Sequence, residues 1–140
     1  MSANAWRHKQ SPHDGPPRLF FTRLDAVAKE KGDPCVIAGN LAVIAGDGDS
    51  VDLVIHQDAD ASSTDVLCII PHGDIFEVRV ATGTDLSDWA DVFMAANRTV
   101  DAGAAHQQSC GFVVNGNPDS SGCALIAVTS ARWGIRNYGA

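Results

Sequence analysis

Short apolar runs separated by turn-forming residues dominate the chain after residue 34. Residues 35–38 and 41–45 flank Gly39-Asn40, and because both turn residues tolerate positive φ, the pattern predicts a β-hairpin. Residues 51–56 and 74–81 alternate between two sets of side chains, which is typical of half-buried strands. Residues 66–70 form a continuous apolar run and predict a strand that is buried on both faces.

The second half of the chain continues the same pattern. Residues 92–95 and 99–102 predict a small hairpin, and residues 111–114 and 123–129 predict two further strands. One helical turn fits within residues 82–91, where Asp85 or Ser87 would cap it. Residues 115–122 are dense in turn formers, and residues 132–140 predict an irregular tail. The whole predicts an all-β fold, a small β-barrel or β-sandwich of about eight short antiparallel strands with an extended N-terminal arm.

The arm is predicted from the first 31 residues, which differ from the rest. The stretch SPHDGPP, residues 11–17, excludes a helix or a central strand. Residues 19–31 fit either a short strand followed by a helical turn or a helical stripe that ends at Gly32. The sequence therefore predicts an N-terminal arm over residues 1–31 and a β domain over residues 32–140.

Charge separates the same two parts. Residues 1–31 carry six basic and three acidic side chains, whereas residues 32–140 carry four basic and 14 acidic ones. An acidic body repels a phosphate backbone, so nucleic acid is not expected as a partner. A basic arm suits an acidic surface such as a neighbouring copy, with an ordinary solvated tail as the alternative. Trp6 would need a pocket on another surface to become ordered, or it lies in a disordered tail.

No membrane segment is expected, because no run approaches the ~20 apolar residues that a spanning helix needs. The N-terminus also lacks the apolar region of a signal peptide. Without a secretory signal, free thiols are expected rather than disulfides. The cysteines concerned are Cys35, Cys68, Cys110 and Cys123.

Candidate metal ligands do not form a recognised pattern. The histidines, at positions 8, 13, 56, 72 and 106, lack the close paired spacing of zinc sites. Asp47, Asp49, Asp52, Asp58 and Asp60 cluster in the sequence, but counting from Asp47 the glycine position of an EF-hand falls on Asp52. Solvated turn residues are the favoured interpretation, so no metal or cofactor is predicted.

Two nucleophile–base pairs are conceivable, Cys110 with His106 and a serine with His72. Cys110 opens an apolar strand, which favours an inert thiol. The chain contains no nucleophile elbow, no Walker loop and no GxGxxG. We therefore expect a protein that is not an enzyme, with a site built from scattered residues as the alternative.

Two segments resemble the small capsid decoration (cement) proteins of tailed bacteriophages. Residues 30–55, EKGDPCVIAGNLAVIAGDGDSVDLVI, are similar to that family in a Gly-Asp-Pro step followed by short strands and a glycine turn. Residues 73–103, GDIFEVRVATGTDLSDWADVFMAANRTVDAG, resemble its later pattern of a strand, a Gly-Thr loop and a short hairpin. The segment SPHDGPPRLFF resembles spike-base proteins of phage-like heads, a variant within the same class.

The resemblance implies a structural role in a virus particle. Such a protein, made in the host cytoplasm, would bind the major capsid protein on the outer surface of an icosahedral shell, often as a homotrimer. An arm with aromatic and arginine side chains would supply the interface. The predicted interface residues are Trp6, Arg7, Arg18, Phe20 and Phe21. The alternatives are a head spike base or neck protein and a soluble ligand-binding β-barrel.

Overall fold

The computed structural model describes residues 4–12, 15–103, 108–116 and 122–130. Their regular secondary structure is almost entirely β-strand, which confirms the predicted all-β fold class. The strands are β1 Arg7–Gln10, β2 Leu19–Leu24, β3 Pro34–Ala38, β4 Leu41–Ile44, β5 Leu53–Ile55, β6 Asp65–Ile69, β7 Ile75–Arg79, β8 Asp91–Met94, β9 Val100–Asp101, β10 Ser109–Asn115 and β11 Cys123–Val128. A short 3-10 helix, Ala96–Arg98, joins β8 to β9.

The strands form a closed barrel and an open sheet. The barrel has the order β2-β4-β3-β5-β6 and is antiparallel except between β2 and β4, which run parallel. The open sheet has the order β1-β7-β11-β10-β8-β9, and its named strands pair antiparallel. The predicted hairpin at Gly39-Asn40 is confirmed, with both residues at positive φ and Ala38 opposite Leu41.

Two hydrophobic cores meet at β5. Leu53 and Ile55 belong to the core inside the barrel, whereas Val51 and Val54 belong to the core of the open sheet. Successive side chains of a strand point to opposite faces, so β5 is buried on both. The prediction of a half-buried strand over residues 51–56 was therefore wrong. The same prediction holds for β7, where Phe76 and Val78 are buried and their neighbours are partly exposed.

The structure corrects the prediction of an arm over residues 1–31. β1 pairs with β7 at the edge of the open sheet, and β2 pairs with β6 along its length and closes the barrel. Gly32 permits the N-terminal segment to pack this closely. Its φ is 91°, and a Cβ there would stand 2.6 Å from the Ala5 Cβ and 2.8 Å from the Trp6 carbonyl oxygen. The Trp6 N–H donates to the Gly32 carbonyl at 2.8 Å.

Buried polar side chains connect the barrel to the open sheet. Asp33, just before β3, accepts a hydrogen bond from the Arg98 guanidinium and one from the Glu30 N–H. Asp52, just before β5, accepts from the Ser130 hydroxyl at 2.7 Å and from the Ile37 N–H at 3.0 Å. Because unpaired buried carboxylates are costly, these bonds fix the two halves relative to each other.

Lys29 is also part of the interior rather than of a basic arm. Its side chain is fully buried, and its ammonium donates to the Asp25 carboxylate and to the Val27 carbonyl at 2.8 Å. Residues 82–90 form turns and irregular backbone without a helix, and Asp91 begins β8, so the helical turn predicted within residues 82–91 is absent. The predicted tail at 132–140 and most of the turn at 115–122 lie outside the described residues.

Candidate functional site

Trp6, the first predicted interface residue, lies in the core of the open sheet. It is 2% exposed, its ring centroid is 5.9 Å from that of Phe76, and its indole N–H donates to the Arg98 carbonyl at 2.9 Å. The pocket that a lone tryptophan needs is supplied by its own chain. In this conformation Trp6 does not anchor a neighbour, which corrects its assignment to an interface.

The two predicted arginines make contacts within the chain. The Arg7 guanidinium lies 3.2 Å from the Glu77 carboxylate across the β1–β7 pair, with 55% of its side chain exposed. Such a surface ion pair contributes little to stability. Arg18 donates to the carbonyl oxygens of His72 at 2.8 Å and Ile70 at 3.4 Å, and so ties the start of β2 to the loop after β6. Both side chains remain at the surface.

The two predicted phenylalanines point in opposite directions because they are neighbours on β2. Phe20 packs against the barrel core. Phe21 is 65% exposed, and Leu19, on the same face of the strand, is 43% exposed. Of the five predicted interface residues, the structure therefore leaves Arg7, Arg18 and Phe21 at the surface, partly buries Phe20 and fully buries Trp6.

The most exposed large apolar side chain of the described residues is Trp89, which the sequence prediction missed. It is 71% exposed and has a φ of 69°, in the left-handed region. Its ring stacks on Phe112 of β10 with centroids 6.1 Å apart and planes 29° apart. Within residues 82–91, Leu86 packs against the core while Trp89 points outwards.

Hydrogen bonds to β10 hold the Trp89 loop in place. The Trp89 N–H donates to the Val113 carbonyl at 2.6 Å, and the Val113 N–H donates to the Ala90 carbonyl at 2.9 Å. The Asp88 carboxylate accepts from the Gly116 N–H at 2.9 Å. Because these bonds bracket Trp89 on both sides, its ring is presented from a fixed backbone.

Three of the five clustered aspartates accept hydrogen bonds within the fold. Asp49 accepts from the Gly46 N–H at 2.9 Å within the turn, and Asp58 accepts from the Lys31 N–H at 2.7 Å. Asp52 is buried and not solvated, contrary to the expectation, because it joins Ile37 to Ser130. Among the described residues, no three His, Cys, Asp or Glu side chains are grouped so that they could hold a metal ion.

Of the two conceivable nucleophile–base pairs, only the one with His72 lies within the described residues. His72 Nδ1 accepts from the Ser130 backbone N–H at 3.1 Å, while the Ser130 hydroxyl donates to Asp52. His106 and His13 lie outside the described residues. Cys110 is fully buried, and burial raises the pKa of its thiol to about 12. All four cysteines are free, as predicted.

Ser11, His8 and Asp74 form a cluster that the sequence did not reveal. His8 Nε2 lies 2.9 Å from Asp74 Oδ2 and 3.2 Å from Ser11 Oγ, and Ser11 also reaches Asp74 at 3.4 Å. A proton relay needs the carboxylate and the hydroxyl on opposite ring nitrogens. Here both meet the same nitrogen, so the cluster orders the end of β1 instead of activating a nucleophile.

A cleft lies where the N-terminal segment crosses the barrel. It has a volume of about 350 Å³, with Trp6, Val54 and Ile69 among the apolar residues that line it. His56 and Lys31 line both this cleft and an adjoining opening of about 470 Å³. His56 Nδ1 is buried and has no hydrogen-bond partner among the described residues. Burial, then Lys31 and His8, lower the pKa of His56 below its ordinary 6.5.

Comparison with protein-family models, curated proteins and solved structures gives no significant match for this chain. The resemblance to capsid decoration proteins therefore stays a prediction from the two sequence segments. The described part of the chain contains no helix with the length and apolar character required to cross a membrane.

Proposed function

We propose that the protein is a structural part of a virus particle, a decoration or cement protein that binds the outer surface of an icosahedral shell and stabilises it. On this proposal its partner is the major capsid protein, it acts as a homotrimer, and it resides on the capsid surface. The sequence support comes from residues 30–55 and 73–103. These segments contribute β3 to β5 and β7 to β9, respectively.

The observation that carries the proposal is the exposed and constrained Trp89. A non-glycine residue in the left-handed region costs roughly 1–2 kcal/mol, and an exposed indole gains little hydrophobic stabilisation. The stacking on Phe112 leaves most of the indole in solvent, so folding gains little from this side chain. Tryptophan is a common hot-spot residue, so a contact with another protein supplies a reason for this arrangement.

The ligand-binding barrel is the weaker alternative because side chains fill the barrel interior. Leu24, Cys35, Leu53, Val66 and Cys68 are all buried there. Small barrels filled in this way have no room for a ligand inside. A contact surface on the outside of a rigid β body is the arrangement that these residues favour.

The test is co-sedimentation of the purified chain with shells assembled from the major capsid protein of the same genome. Deletion of residues 1–18 is not a clean probe, because it removes β1 and the buried Trp6. We instead compare Trp89→Ala with Val27→Ser, a control that removes another exposed apolar side chain. Trp89→Ala should weaken shell binding by about 30-fold or more, the effect of losing a hot spot of about 2 kcal/mol.

The outcomes separate the two parts of the proposal. Saturable binding at fixed stoichiometry that Trp89→Ala weakens and Val27→Ser does not would support both the function and the contact residue. If Trp89→Ala binds shells as tightly as the wild type, the assignment of Trp89 as a contact residue is refuted, and the decoration function is not. If the full-length chain does not sediment with the shells at all, the decoration function is wrong.

A further inference from the structure

The cleft beside His56 combines an apolar lining with an incompletely neutralised positive charge. Arg7 and His8 also line it, but Arg7 is paired with Glu77 and His8 with Asp74. Asp58 lies in the adjoining opening, where its carboxylate accepts the backbone N–H of Lys31. No carboxylate of the described residues lies within ion-pair distance of the Lys31 ammonium.

His56 provides the second, independent indication. Its Nδ1 is buried without a partner among the described residues, which is an unfavourable arrangement for a polar atom. Because this atom is shielded from solvent, an anion in the cleft would act on the ring through its charge: it would favour the charged form and offset the repulsion from Lys31 and His8.

The size of the cleft limits what fits. A volume of about 350 Å³ lies near the lower end of the range of small-ligand sites. Trp6, Val54 and Ile69 provide apolar surface in the cleft, and Lys31 and His56 lie where it meets the adjoining opening. An amphiphilic ligand with one anionic end matches this combination of groups.

We propose that the cleft binds a carboxylate that carries an apolar group, with the carboxylate at Lys31 and His56 and the apolar group against Trp6 and Val54. This site does not depend on shell binding, because Trp89 is not among its lining residues. A free organic acid and the C-terminus of a polypeptide both supply such a carboxylate, and the two sources present the same chemistry to the cleft.

The experiment follows the ring proton resonances of His56 in the full-length protein by NMR during titration with 3-phenylpropionate. The neutral 3-phenylpropanamide is the matched ligand control. A short peptide that ends in phenylalanine, with a free or an amidated C-terminus, tests the polypeptide source. Saturation by 3-phenylpropionate should raise the pKa of His56, because an anion favours the charged ring.

Two substitutions identify the residues responsible. Lys31→Met should weaken 3-phenylpropionate binding about tenfold, as expected for losing one charged hydrogen bond of about 1.5 kcal/mol. Lys9→Met removes the same charge from an exposed position of β1 outside the cleft and should leave the affinity unchanged. His56→Gln should weaken binding and abolish its dependence on pH near neutrality.

Each result bears on the proposal. Binding of the free acid, of the peptide acid or of both supports it and identifies the source of the carboxylate. Equal binding of 3-phenylpropanamide would overturn the requirement for an anion. Equal losses of affinity in Lys9→Met and Lys31→Met would show that the overall charge of the protein, and not Lys31 in the cleft, accounts for binding. No resonance shift with either acid at about 10 mM, roughly ten times the Kd of about 1 mM that marks a weak ligand, would overturn the site.

Discussion

Replacing Trp6 with alanine should lower the free energy of unfolding by about 4 kcal/mol. Trp6 is buried in the core of the open sheet, against Phe76, and its indole N–H is bonded to the Arg98 carbonyl. Truncation of a buried tryptophan to alanine costs roughly 3–5 kcal/mol. A domain of this size has a stability of roughly 5–15 kcal/mol, so the loss is a large fraction of the total.

Urea unfolding followed by far-UV circular dichroism measures this loss. With a slope of about 2 kcal/mol per molar, the unfolding midpoint should fall by roughly 2 M. Trp89→Ala is the matched control, since that side chain is mostly exposed, and its effect should stay within about 0.5 kcal/mol. Trp6→Phe, which keeps a ring but leaves the Arg98 carbonyl without its donor, should fall between the two.

The comparison distinguishes a packed N-terminal segment from an arm. If Trp6 belonged to an arm that orders only on a neighbouring molecule, Trp6→Ala would unfold at the same urea concentration as the wild type. Overlapping curves for Trp6→Ala and Trp89→Ala would therefore refute the packing described for residues 4–12.

Three further predictions concern the same interior and the cleft. Gly32→Ala should lower the free energy of unfolding in urea by about 3 kcal/mol, because it adds strain at positive φ and a clash with Ala5 and Trp6. Gly39→Ala, with open space around the new Cβ, should lower it by about 1 kcal/mol. Equal losses would contradict the close approach at Gly32. In the native protein, Cys123 should be the one thiol that reacts with Ellman's reagent before unfolding, because Cys35, Cys68 and Cys110 are buried. Rapid reaction of a second thiol would contradict this burial. The pKa of His56 is lowered by burial and by Lys31 and His8, so the unfolded chain binds more protons than the folded one below about pH 6.5, and stability falls as the pH drops. His56→Gln should therefore reduce the fall in the urea midpoint between about pH 7.5 and 5.5. An unchanged fall would refute this role of His56.

The sequence predicted those strands whose turns and buried faces are determined by residues close to them in the chain. The hairpin around Gly39-Asn40 needs only two turn residues between apolar runs, and β7 shows the two-residue period of its single buried face. β1 escaped prediction because its sequence, RHKQ, has no apolar residue and its place at a sheet edge depends on β7. No local pattern encodes such a pairing.

The candidate site depended still more on contacts between distant residues. Trp6 finds its hydrogen-bond partner at Arg98, and Asp52 finds one at Ser130. A run of prolines and basic residues around Trp6 is typical of a tail, and only the complementary pocket makes that segment part of the core. Likewise, Leu86 and Trp89 are apolar residues of one loop, and the sequence alone does not distinguish the one that points outwards.

The buried links between barrel and sheet bear directly on the proposed contact at Trp89. Asp33 with Arg98 and Asp52 with Ser130 bridge the two halves, and the bonds to Val113 and Gly116 fix the Trp89 loop on β10. A ring held this way loses little conformational freedom on binding, so more of its contact energy appears as affinity. Repeated across a symmetric shell by a trimer, even a modest contact per copy would give high occupancy. On the proposed function, the strain at Trp89 is therefore the cost of a preorganised contact, and loosening the Asp88–Gly116 bond should weaken shell binding without unfolding the sheet.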